Sequence, residues 1–148
     1  MEKKGLSAVV TTLIIILLVL VAVGIIWVVV RNVVETGAEQ IDINTKCVAV
    51  DVRAVSVAPV AGVDGNYTVS LNRKAGGGDI GGVKVNLFND TSSSGVVDFG
   101  IAIEELNTET KEIDTSGVTG GDRIEFTVFF LDASGNEQLC TQTNSFEF

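Results

Sequence analysis

Residues 6–30 of this chain, LSAVVTTLIIILLVLVAVGIIWVVV, contain no charged side chain, and they follow the short head MEKKG. As a helix rising 1.5 Å per residue the run is roughly 38 Å long, enough to cross a hydrocarbon layer of about 30 Å with some tilt. Its many valines and isoleucines are weak helix formers in water. In lipid, however, every backbone group must bond within its own segment, and helix is forced. Lys3 and Lys4 stay inside by the positive-inside rule, which puts residues 35 onward outside. Trp27, near the outer end, suits a ring anchored at headgroup level, and Ala8, Ala22 and Gly24 are small enough to let a neighbouring helix approach.

A secretory signal also begins basic and then apolar, but its apolar region is about 7–15 residues and ends in a small-residue cut site. Here the run is too long and no such site follows. Instead a basic pair and a glycine, Lys3-Lys4-Gly5, stand directly ahead of Leu6. This arrangement, KKG before LSAVV, resembles the class III signal peptide of archaeal type IV pilin-like proteins, in the pilin and archaellin superfamily. The resemblance implies cleavage between Gly5 and Leu6 by a prepilin peptidase, which leaves the apolar helix on the mature chain. It further implies a leader over 1–5, a transmembrane or filament-core helix over 6–40 and an extracellular β-domain over 41–148. Val10, Leu13, Leu17, Gly24 and Trp27 are the expected filament-core positions. Bacterial pilins carry glutamate at the fifth mature position, where this chain has Val10, so the archaeal type of assembly is favoured.

The implied partners are further copies of the chain in a helical homopolymer, the prepilin peptidase and pilus assembly machinery, and membrane lipid before assembly. The implied location is a cell-surface filament fed from a membrane-inserted precursor pool, serving adhesion or motility. A plain signal anchor accounts for the same segment differently, as a single-pass helix holding an extracellular β-sandwich binding module. Processing at Gly5 separates the two.

Beyond the helix, period-2 alternation and β-branched residues dominate, with turn clusters of Gly, Asn, Asp and Ser about every dozen residues. Candidate strands cover 47–57, 67–72, 82–88, 96–103, 123–131 and 137–143. Alternation slips near Ser56, whereas Val83, Val85 and Leu87 keep one face with Lys84 and Asn86 opposite. The expected fold class is therefore α+β: a long hydrophobic N-terminal helix, then an all-β, immunoglobulin-like sandwich. A jelly roll or open barrel fits the spacing too. The triple glycine at 76–78 lacks the Lys-Ser/Thr of a phosphate loop and reads as a flexible hairpin tip. Asp132-Ala133-Ser134-Gly135-Asn136-Glu137 has only a fragment of a calcium-loop pattern and reads as a β-turn.

Cys47 and Cys140 open the first candidate strand and sit in the last. Strands so placed often become neighbours in a sandwich, and an external compartment favours oxidation, so a Cys47–Cys140 disulfide is expected, against the alternative of two buried thiols. Two glycosylation sequons, Asn66-Tyr67-Thr68 and Asn89-Asp90-Thr91, fall at strand edges or turns. Surface filaments of the resembled family are commonly N-glycosylated.

From Glu35 onward 18 acidic residues face 7 basic ones, a net charge of −11. That balance disfavours nucleic acid, keeps the domain soluble and keeps it off anionic lipid. With no histidine and no recognisable nucleophile or acid–base pattern, the sequence points to a non-enzymatic role with no cofactor and no metal.

Overall fold

A computed structural model of the chain describes residues 3–100, 102–115 and 117–148, with side chains from Ala8 onward. One helix, α1 (Lys3–Ala49), is about 70 Å long at the usual rise. The strands that follow are β1 (Val52–Pro59), β2 (Asn66–Arg73), β3 (Gly82–Phe88), β4 (Val97–Asp98), β5 (Thr108–Asp114), β6 (Arg123–Leu131), β7 (Glu137–Leu139) and β8 (Asn144–Glu147). Two compact units result, Met1–Gln40 and Ile41–Phe148.

Within the second unit all strand pairs are antiparallel, in two sheets. The first has the order β1-β2-β5 and the second β4-β3-β6-β7, with β8 also on β6. β7 and β8 occupy the same edge of β6 in succession, Phe129–Leu131 pairing with β7 and Arg123–Phe126 with β8. They amount to one interrupted edge strand. The strand order is thus that of an immunoglobulin-like sandwich, β1, β2 and β5 standing as A, B and E opposite a sheet of C′, C, F and G.

Alternation explains the faces. In β2, Tyr67, Val69 and Leu71 point inward; in β3, Val83, Val85 and Leu87; in β6, Ile124, Phe126 and Val128; all are buried in one core. Lys84 stands on the outer face, its ammonium 4.7 Å from the centre of the Phe129 ring. The slip near Ser56 is a β-bulge: the register with β2 jumps from Ala54 to Ser56, leaving Val55 unpaired and 56% exposed.

Several expected boundaries are corrected. The candidate strand at 47–57 is helical through Ala49, and pairing starts only at Val52. Ile43 and Cys47, one turn apart on α1, are both buried in the core, so helical spacing wins over the apparent alternation of Val48, Val50 and Val52. For the same reason the helix does not stop near residue 40. Of 96–103 only Val97 and Asp98 pair, while Phe99 and Ile103 turn into the core and Ile101 lies outside the described residues. Of 137–143 only the first three residues form a strand. The reading of the sequence missed β5 and β8.

Candidate functional site

The surface with the most unmet burial is α1. Every large apolar side chain from Val9 to Val34 is between 48 and 69% exposed. Successive spacings of three, four, seven and three put Val10, Leu13, Leu17, Gly24 and Trp27 along one stripe. Around Gly24 nothing lies within 4 Å of where a Cβ would sit, so the stripe has a notch there. Length and composition suit this helix to crossing a membrane. The backbone of Lys3, Lys4, Gly5 and Leu6 opens α1, while their side chains lie outside the described residues.

The last two turns of α1 belong to the β-domain, and three devices hold them there. Cys47 is bonded to Cys140, with an S–S distance of 2.02 Å and Cα atoms 5.5 Å apart. The expected disulfide is present, although it joins a helix to the break between β7 and β8 rather than strand to strand. Next, the triple glycine is not a free hairpin tip but packs on the helix end. A Cβ on Gly76 would meet the Ala49 carbonyl oxygen at 2.7 Å, and one on Gly77 the Val50 Cβ at 2.8 Å. Gly77 has φ +80°, so its conformation and its close approach both require glycine.

Arg73 is the third device. Only 2% exposed, its guanidinium donates from Nη1 to the Ile103 carbonyl at 2.9 Å and from Nη2 to Gly76 O at 3.0 Å and to Gly78 O. The Glu105 carboxylate stands 3.7 Å away. A buried charge costs too much unless it is hydrogen-bonded, and these carbonyls do so while fixing the glycine loop beneath the helix end. Its only sequence signal was position: Arg73 falls on the inward phase of β2. At the surface beside it, Asp51 pairs with Arg53 at 3.0 Å and Lys74 at 3.3 Å, and the hydrogen bond from Arg53 holds its carboxyl below the ordinary range.

The sheet edges are each blunted. β1 carries the bulge and ends in Pro59, β4 has two residues, and β5 presents Glu109, Lys111 and Glu112. β7 and β8 are separated by a break. Such edges resist edge-to-edge pairing.

Of the two sequons, Asn66 opens β2 and its Nδ2 donates to Glu112 Oε1 at 2.7 Å. Asn89 sits at a turn after β3, where its Oδ1 accepts from the Thr91 and Ser92 backbone N–H groups and its Nδ2 donates to Thr119 O. Asp132 organises the turn expected of it: one carboxylate oxygen accepts from the N–H groups of Ser134 and Asn136 and the other from the Asn136 and Gln138 amides. These bonds, led by that from the Asn136 backbone, hold its carboxyl below the ordinary range. Among the described residues no group of three or more His, Cys, Asp or Glu is placed to hold a metal ion.

Compared with protein-family models, with curated proteins and with solved structures, the chain matches none of them.

Proposed function

We infer that the chain is the structural subunit of an archaeal type IV pilus-like surface filament, which assembles through α1 and exposes the β-domain for adhesion or motility. The observation that carries this reading is the charge-free, wholly exposed apolar stretch of α1, preceded by Lys3-Lys4-Gly5 and continuous with a disulfide-stapled domain. The stretch is stable in lipid as a precursor. Removal of residues 1–5 releases it into a bundle of identical helices, where close packing replaces contacts with lipid chains. Heterologous, non-closing contacts between subunits then give a helical polymer. The blunted sheet edges support the same route, since they steer assembly away from strand pairing. An acidic outer domain keeps the filament soluble and apart from anionic lipid, and Asn66 and Asn89 are its candidate glycan acceptors.

In this reading no residue performs catalysis and no cofactor or nucleic acid takes part. The test is the N-terminal sequence of the chain recovered from the surface of cells expressing it, alongside a Gly5→Phe variant. A start at Leu6, with processing and filaments both lost in Gly5→Phe, supports the filament subunit. A start at Met1 with normal surface display of the variant overturns it in favour of a membrane-anchored binding module.

A further inference from the structure

Leu106 is the one non-glycine residue with positive φ among the described residues, at +62°, and its side chain is 76% exposed. It occupies the third position of a turn closed by Asn107 N–H donating to Glu104 O at 3.2 Å, a position whose positive φ ordinarily selects glycine. The turn is held firmly on both sides. Arg73 N–H donates to Asn107 O at 2.9 Å, and the Arg73 guanidinium grips Ile103 O. A γ-branched apolar side chain in the left-handed region carries a conformational cost, and at this exposure it gains no internal packing in return. The turn therefore presents an exposed apolar knob directly after Glu104 and Glu105.

The same unit carries a shallow apolar face that no described residue covers, lined by Ile41, Asn44, Thr45, Val48 and Ala49 on the last turns of α1. Ile41 is 68% and Val48 74% exposed. None of the five is charged. At its flank Asp42 is paired with Lys46 at 2.6 Å. In so acidic a domain, this face is uncharged and its neighbouring carboxylate is already neutralised, and the Asn44 amide and Lys46 ammonium can donate to the two glutamates of the turn.

We propose that Leu106 of one copy of the chain inserts into the Ile41–Val48 face of a second copy, as a head-to-tail contact. Knob and receptor are different surfaces, so a head-to-tail contact between them is heterologous, and in a filament it repeats without closing. For that repetition it rests on the filament reading, whereas the pairing itself does not.

Both cysteines are held in the disulfide, so added thiols report the new contact alone. Full-length Leu106→Cys and Thr45→Cys chains, co-expressed in membranes and oxidised, are expected to give a mixed dimer that neither chain gives alone. The double variant is expected to give a ladder. Absence of the mixed dimer, or equal dimer from either single variant, overturns the proposal. A Leu106→Gly chain separates this role from a structural one. It is expected to melt at a higher temperature, because glycine relieves the strained φ, while filament yield falls at least tenfold. Unchanged yield overturns the contact. Normal filaments without the mixed adduct defeat this contact and leave the filament reading standing; the mixed adduct without filaments from any chain does the reverse.

Discussion

The helix between Val9 and Val34 and the β-domain solve the burial of apolar side chains in opposite ways. In the domain, Val69, Leu71, Val83, Leu87, Phe99 and Ile124 are all 0% exposed, closed against one another by two sheets. In the helix, side chains of the same kind stay about half exposed or more, and the backbone alone is satisfied internally. The domain carries its own stability; the helix has to obtain burial from lipid or from other chains. A chain built this way closes its domain core without the exposed helix, so that changes in one region leave the other's equilibrium largely intact.

The sharpest way to break that separation is at the staple. Replacing Cys47 and Cys140 with Ser frees a link across a sequence separation of 93. It is expected to lower domain stability by about 4–5 kcal/mol, a drop of roughly 20 °C in thermal melting. Next in size is the core against the helix. Phe99→Ala, at a site with 0% exposure, is expected to cost about 3–5 kcal/mol in denaturant unfolding. Leu17→Ala, 62% exposed, is expected to leave domain unfolding unchanged within about 0.5 kcal/mol. Under the filament reading proposed above its effect falls on filament yield, and a domain destabilised by Leu17→Ala breaks the comparison.

Smaller again is the contrast within the glycine loop. Gly77→Ala meets Val50 at 2.8 Å as well as a positive φ, for an expected loss of about 2–4 kcal/mol in chemical denaturation. Gly78→Ala has open space and only the strain of φ +67°, for about 1–2 kcal/mol. The smallest effect is electrostatic. The bond from Lys84 at 2.8 Å, with a further one from the Gly100 N–H, holds the Asp98 carboxyl below its ordinary range. A depressed folded-state value stabilises at neutral pH, and that contribution is lost as pH falls below the usual carboxylate range of about 4. Asp98→Asn is therefore expected to remove part of the acid-side decline in melting temperature, at most about 1 kcal/mol for so solvated a pair.

How much of this was legible in the sequence followed what each residue faces. The helix and strands β2, β3 and β6 stood out because the first is apolar on every side and two different environments flank the others, which writes alternation into the strands. β5, TETKEID, buries Ile113 alone, and an edge strand in water leaves no apolar rhythm to read. At 47–57 a helical turn and a strand met in a valine-rich stretch whose period fits either, and only the burial of Ile43 and Cys47 decides between them. The exposed helix and the disulfide were visible as residues. Arg73 and the strained turn at Leu106 were not, because both depend on carbonyl groups and backbone angles that tertiary packing sets.

The position of the disulfide also fixes how the domain bears tension. Any residue between Cys47 and Cys140 is joined to α1 by two covalent routes, one along the backbone and one back through the sulfur bridge. A pull on a loop of the domain is shared between both arms of a ring. Even after the sheets give way, the length of chain released is limited by the shorter arm. An object tethered through this domain thus stays within a bounded distance of the helix for as long as the bridge remains oxidised.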